Sequence, residues 1–197
     1  MTEPRTGPGR PRDHRLDARV LEATRDLLVA EGYQATTMRA VARRAGVVVT
    51  SIYRRWPDKT ALVEDAIFKL DLGATPAATG DLRADLLAWA RVFLAYVAHP
   101  AARTAIPGLL SVYRDQEGYR RLLEHGELPA RQALRAVIDA AAGTGQAHPD
   151  CDREAIFDLL RGATIVRALT QGTDDADAFC EQITDALMAV ARGPCAK

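Results

Sequence analysis

A short run of hydroxyl and guanidinium side chains is the part of the sequence best suited to chemistry. Thr50, Ser51, Arg54 and Arg55 follow Gly46 at a spacing that places them on the outer side of one short helix. When a helix lies in the major groove of DNA, hydroxyl, methyl and guanidinium groups read base edges. The run therefore predicts a helix that contacts DNA.

Two short helices are needed to hold these side chains in place. Residues 36–56 predict a helix, a turn at Gly46 and a second helix, with Thr36 as cap of the first and Thr50 as a possible cap of the second. Glycine lets the chain reverse without a Cβ clash, and Ala42, Val47 and Ile52 are spaced to fill the small core between the helices. This pattern is typical of a helix-turn-helix.

Helical periodicity extends along the whole chain, and no alternating strand pattern accompanies it. The predicted fold class is all-α: a three-helix helix-turn-helix DNA-binding domain followed by a larger helical domain, with about nine helices in total. The predicted helices cover residues 13–31, 36–45, 49–56, 59–72, 81–98, 102–113, 117–142, 152–170 and 175–192.

Charge is distributed unevenly, although the formal net charge is +0. Residues 1–60 contain 12 Lys and Arg against 7 Asp and Glu, and the remainder contains 14 against 19. A positive amino-terminal part favours a polyanionic partner. We predict a flexible basic arm at 1–12, a DNA-binding domain at 13–72 and a second helical domain at 81–192.

Motifs across residues 13–68 resemble the DNA-binding domain of the TetR/AcrR family. They are Gly32-Tyr33, Thr36-Thr37-Met38-Arg39, Val41-Ala42, Ala45-Gly46-Val47, Ile52-Tyr53-Arg54-Arg55-Trp56-Pro57-Asp58-Lys59 and Leu62-Val63. Residues 81–192 are more loosely similar to the helical ligand-binding and dimerisation domain of that family. The resemblance implies a homodimeric repressor that binds a palindromic operator and is released by a small-molecule effector.

The resemblance also implies roles for individual residues. Thr50, Ser51 and Arg54 are expected to meet bases. Thr37 and Arg39 are expected to lie near the DNA backbone and the edge of the groove. Tyr53 and Arg55 are expected to contact phosphates, and Lys59 adds a positive charge at the start of the fourth helix, where an anion is favoured. Trp56 is expected to pack between the recognition helix and the fourth helix.

Val48 and Val49 depart from the family pattern, which commonly has Ser or Gly followed by Lys or Arg. This departure removes a usual cap and a usual phosphate contact, and Val49 is expected to contact a thymine methyl instead. Arg10 and Arg12, in the arm, have the spacing of side chains that enter an A·T-rich minor groove. The alternative is a solvated tail that raises general DNA affinity only.

Two further sets of residues are expected in the larger domain. An effector cavity between helices is predicted to use Trp89, Phe93, Leu109, Tyr113, Leu134 and Arg167. A four-helix dimer interface is predicted to use Ile156, Leu159, Leu160, Ala163, Val166, Phe179, Ile183, Leu187 and Val190.

Other functional classes find little support in the sequence. The three cysteines and four histidines have no metal-ligand spacing, so neither a metal nor a cofactor is expected. No apolar run approaches a membrane span and no secretory signal is present, which predicts a cytoplasmic protein. A non-specific architectural DNA-binding protein and, with no recognisable catalytic arrangement, a helical enzyme remain the alternatives.

Overall fold

The computed structural model describes residues 14–70, 75–112 and 127–194. Within these ranges the secondary structure is entirely helical, so the predicted all-α class is confirmed. The helices of the described ranges are α1 (His14–Ala35), α2 (Met38–Ala45), α3 (Val49–Tyr53), α4 (Lys59–Phe68), α5 (Leu82–Ala98), α6 (Pro100–Val112), α7 (Leu128–Gly143), α8 (Arg153–Thr170) and α9 (Ala176–Arg192).

The chain divides into two compact units, residues 1–66 and residues 67–197. In the first unit, α1 packs against α2 and α2 against α3. Ile52 of α3 and Val41 of α2 are fully buried in its apolar core, with Trp56 closing one side. Ile52 is buried and Val49 is partly buried against the same core, while the rest of this five-residue helix is partly or fully exposed to solvent.

A left-handed turn at Gly46 separates α2 from α3. Gly46 has φ 64° and ψ 40°, and its N–H donates to carbonyls of the last turn of α2. The guanidinium of Arg19, on α1, donates to the carbonyl of Ala45 next to it. The conformation expected from the glycine is therefore present, and a side chain from α1 holds it.

Several element ends differ from expectation for local reasons. Gly32, at φ 83°, interrupts α1 as predicted, although helical hydrogen bonding resumes up to Ala35. The cap of α2 is Thr37 rather than Thr36: the Thr37 hydroxyl accepts from Ala40 N–H at 3.1 Å, while the Thr36 hydroxyl donates back to the Gly32 carbonyl at 2.8 Å. Helix α3 ends at Tyr53 instead of Trp56.

The second unit is organised around α5. This helix packs against α8 and α9, which also pack against each other, while α6 and α7 cover its other sides. The fully buried side chains at its centre are Leu82, Leu86, Leu134, Ile138, Ile156, Leu160 and Leu187. Asp81 and Asp152 cap α5 and α8 by accepting from N–H groups of the first turn, at 3.1 and 2.9 Å. Among the described helices, none is both long and apolar enough to cross a membrane.

Gly46→Ala should lower the free energy of unfolding by about 1–2 kcal/mol, because an L side chain is strained in the left-handed region. Urea denaturation followed by circular dichroism measures this change. Gly143→Ala is the matched control: Gly143 is exposed at the end of α7 with open space around it and no positive φ. An equal loss in both variants would show that the turn at Gly46 is not special.

Candidate nucleic-acid interface

The outer face of α3 combines exposed polar and apolar side chains. Thr50, Tyr53 and Arg54 are exposed, Ser51 and Val49 are partly exposed, and Ile52 on the opposite face is fully buried. Tyr53 exposes 52% of its surface, unusually much for a large ring. The predicted base-reading residues therefore lie together on one solvent-facing surface, which we call the α3 face: Val48, Val49, Thr50, Ser51, Tyr53 and Arg54.

The start of α3 has no side-chain cap. Val48 is the N-cap residue, and neither it nor Thr50 accepts a hydrogen bond from the first turn, so the predicted capping role of Thr50 is wrong. Val48 exposes 67% of its surface, more than any other large apolar residue of the described ranges. Sequence reasoning noted this valine as a departure but assigned the contact only to Val49.

The start of α2 lies at the edge of the same unit. Thr37 is exposed although its hydroxyl caps α2, and Arg39 is exposed in the first turn. This hydrogen bond holds the Thr37 side chain against its own helix and so fixes the orientation of its hydroxyl oxygen.

Arg55 and Lys59 both form polar contacts with α1 inside the first unit. The Arg55 guanidinium forms an ion pair with Asp17 of α1, and both side chains are largely buried, at 16% and 27% exposure. Lys59 donates to the Tyr33 and Gln34 carbonyls and lies 3.9 Å from the centre of the Tyr33 ring. Burial lowers the pKa of Lys59, in keeping with its partly enclosed position. Their geometry is that of side chains that hold α3 and α4 against α1.

Trp56 fixes the exit from α3. It exposes 5% of its surface, and its indole N–H donates to Asp65 of α4 at 2.8 Å. The expected packing of Trp56 between α3 and α4 is confirmed. Arg10 and Arg12 lie outside the described residues.

The second unit contains a cavity of about 280 Å³ beside α5. Of the predicted residues, Trp89, Phe93 and Leu109 line it, and Tyr113 lies outside the described residues. Leu134 and Arg167 are absent from its wall. Leu134 is fully buried in the helical core, and Arg167 donates to Gln171 and the Asp174 carbonyl.

Sequence reasoning missed four polar residues of this wall: Thr75, Tyr96, Glu127 and Arg161. Tyr96 lies seven residues after Trp89 and three after Phe93, the spacing of one helix face, so that signal was available. Glu127 immediately precedes α7 and Arg161 lies on α8, so they meet only in the folded chain, where Arg161 donates to Glu127 at 2.8 Å.

The predicted interface residues divide by exposure. Ile156, Leu160 and Leu187 are fully buried in the core of this chain, which corrects their assignment to a partner-facing surface. Leu159 and Val166, by contrast, expose 47% and 61% of their surface. The partly exposed members are Ala163, Phe179, Ile183 and Val190.

Comparisons with known families agree with this architecture. Residues 20–66 match the family described as bacterial regulatory proteins, tetR family. Residues 76–187 match the family described as tetracyclin repressor-like, C-terminal domain. The two matches fall on either side of the boundary between the two compact units.

Individual relatives agree over most of the chain. A DNA-binding transcriptional repressor TetR of Mycobacteroides abscessus is 30% identical over 183 residues, 91% of this chain and 95% of the relative. An uncharacterized HTH-type transcriptional regulator of Mycobacterium tuberculosis is 32% identical over 164 residues, covering 82% of this chain and 78% of the relative. The crystal structure of the TetR family transcription regulator SCO0332 superposes with a TM-score of 0.69 at 32% identity, over 90% of this chain and 99% of that one.

The chain belongs to the TetR family of bacterial regulatory proteins, and it is a DNA-binding transcriptional regulator. The resemblance predicted from the motifs between Gly32 and Val63 is thereby confirmed.

Arg55→Met should destabilise the first unit by about 1–2 kcal/mol, because it leaves the largely buried Asp17 carboxylate without its counter-charge. Urea denaturation measures the loss. Arg44→Met is the matched control, since the pair of Arg44 with Asp26 is about half exposed on both sides. It should cost less than about 0.5 kcal/mol. A negligible effect at Arg55 would contradict the positioning role given to it here.

Proposed function

We propose that the protein is a repressor that binds a palindromic operator as a homodimer and is released by a small-molecule effector. The observation that carries the proposal is the α3 face, which presents hydroxyl, methyl and guanidinium groups on a helix anchored by Ile52. The name of the Mycobacteroides relative, a transcriptional repressor, supports the direction of regulation.

In this proposal, contacts with DNA divide by their role. Thr50, Ser51 and Arg54 read base edges, and Val48 and Val49 offer methyl groups to thymines. Tyr53, Thr37 and Arg39 contact the phosphate backbone beside them. Arg55 and Lys59 act indirectly, because their internal contacts hold α3 and α4 in position.

The arm at residues 1–12 adds a second reading element. Arg10 and Arg12 enter the neighbouring minor groove, where an A·T-rich sequence narrows the groove and strengthens its negative potential. The DNA-binding domain then extends over residues 13–72, and residues 81–192 form the effector and dimerisation domain. The chain acts in the cytoplasm, where it meets DNA, and it catalyses no reaction.

Dimerisation uses the exposed face of α8 with the adjoining face of α9. Leu159, Gly162, Ala163 and Val166 recur at the spacing of one helix face, and small Gly162 and Ala163 permit a close approach between helices. Phe179, Ile183 and Val190 extend this surface on α9. A two-fold dimer would place two α3 helices about 34–36 Å apart, one turn of DNA.

The effector occupies the cavity beside α5. Ile67 and Phe68, the last residues of α4, line that cavity, and α4 begins at Lys59 in the helix-turn-helix unit. An effector that prefers one position of α4 would change operator affinity, typically about 5- to 150-fold.

Selection from random duplexes followed by fluorescence anisotropy tests the reading of DNA. The selected duplex should bind at least about a thousandfold more tightly than its scrambled counterpart. Arg54→Ala should cost about 1–3 kcal/mol on the selected duplex and relax the preference at one base pair.

Arg91→Ala is the matched control for that measurement, because Arg91 is an exposed arginine of α5 that pairs with Asp177. It should leave operator affinity unchanged. Equal affinities for selected and scrambled duplexes would contradict the proposal and point to an architectural DNA-binding protein.

Val166→Asp should convert the dimer to a monomer at micromolar concentration, because it places a charge in the centre of an apolar interface. Sedimentation velocity measures the mass. Val29→Asp is the matched control: Val29 is a similarly exposed valine, at 56%, on α1 of the first unit. If both variants stay dimeric, the α8 face is not the interface.

A further inference from the structure

We propose that the effector is an uncharged, mainly apolar molecule with a hydrogen-bond acceptor, held by Trp89 and Tyr96 at the cavity beside α5. This inference rests on the proposed function and adds the chemical class of the ligand. It depends on three observations: an apolar wall, two donors without partners, and acid and base side chains that neutralise each other.

The wall of the cavity is mainly aromatic and aliphatic. The rings of Trp89 and Phe93 lie 5.9 Å apart, and Phe93 meets Phe157 edge to face at 5.5 Å. Tyr96 stacks with Phe68 at 6.5 Å between ring centres. A cavity of about 280 Å³ lies at the small end of the range for ligand sites, roughly 300–1,000 Å³. The occupant is therefore compact, with flat apolar surface for these rings to cover.

Two donors on α5 lack partners within the described part of the chain. They are the indole N–H of Trp89, a residue only 2% exposed, and the buried hydroxyl of Tyr96. Burial, with a smaller effect from the charge of Glu127, raises the pKa of Tyr96, so its hydroxyl keeps the proton and can donate it. An enclosed donor without an acceptor is costly, and an acceptor on a ligand removes that cost.

Glu127 and Arg161, the charged groups of the wall, pair with each other, although the Arg161 Nε–H has no partner among the described residues. Glu127 is 9% exposed and accepts from Arg161 at 2.8 Å, while Arg131 lies 3.5 Å from its other oxygen. Arg131 also pairs with Glu154 and Asp158, at 2.5 and 2.6 Å. A carboxylate or ammonium ligand would have to displace one of these partners and lose its own hydration, which is unfavourable in an apolar site. A neutral ligand has no such cost.

Trp89, Phe93 and Tyr96 follow one another at i, i+4 and i+7 along α5, so the two donors flank an aromatic ring on the same helix face. This arrangement sets the polar group of the ligand against α5 and its apolar body against Phe93 and Phe157. Ring-bearing ketones, esters, amides and quinones share this chemistry.

Four naphthalene probes with one substituent at the same ring position separate the possibilities. They are acetylnaphthalene (neutral acceptor), ethylnaphthalene (no acceptor), naphthoate (anion) and naphthylmethylammonium (cation). Equilibrium dialysis against the full chain at neutral pH measures each affinity without DNA. The ketone should bind at least about tenfold more tightly than the hydrocarbon and than either ion, the scale expected for one buried hydrogen bond.

Variants assign the effect to residues. Tyr96→Phe and Trp89→Phe, which keep an aromatic ring, should each reduce ketone binding about five- to tenfold and leave hydrocarbon binding nearly unchanged. Phe93→Leu is the matched control and should weaken both neutral probes alike. Glu127→Gln should raise naphthoate affinity about tenfold, because it leaves Arg161 without its counter-charge in the wall.

The inference is overturned if an ion binds the natural chain as tightly as the ketone. Equal binding of ketone and hydrocarbon, or unchanged ketone binding in both donor variants, overturns it as well, and so does failure of the ketone to bind up to its solubility limit. Because the probe series alone decides the charge preference, a variant that fails to fold leaves the test intact. Selective ketone binding without any change in operator affinity would instead refute effector release.

Discussion

The turn between α2 and α3 is the constraint on which the position of the α3 face depends. A helix of five residues has little stability of its own, so its direction is set by the left-handed Gly46 and by the burial of Ile52. Arg19 on one side of the turn, and the pair of Arg55 with Asp17 on the other, attach both ends of this segment to α1. Arg19 and Arg55 of this basic unit thus support the fold, whereas other arginines of the unit, such as Arg54, remain exposed to solvent.

Most of the fold could be predicted because its signals are local. Apolar spacing and the glycine at position 46 each act within a few residues, and the structure places the helices and the turn as expected. The choice between Thr36 and Thr37 as cap could not be made locally, since adjacent threonines are equivalent in sequence. The kink at Gly32 decides it by offering its carbonyl to Thr36.

The candidate sites were predicted less completely, because they depend on contacts between residues that are far apart in the sequence. Which face of α7 points inward depends on helices far along the chain, so Leu134 was placed at the cavity although it lies in the core. The ion pair of Arg55 with Asp17 is equally non-local, and so is the meeting of Glu127 with Arg161. Trp89 and Phe93, which lie four residues apart on one helix, do line the predicted cavity.

Amide hydrogen exchange tests most directly whether the α3 face enters a groove of operator DNA. At the start of α3, the Ser51 N–H donates to the Val48 carbonyl at 2.9 Å, whereas the N–H groups of Val49 and Thr50 precede the first carbonyl that the helix offers. These two groups should exchange quickly in the free protein. Adding a selectively bound duplex should slow exchange in the peptide covering Val48–Arg55, with little change in α7. Bound duplex that leaves this peptide exchanging at its free rate would contradict the account.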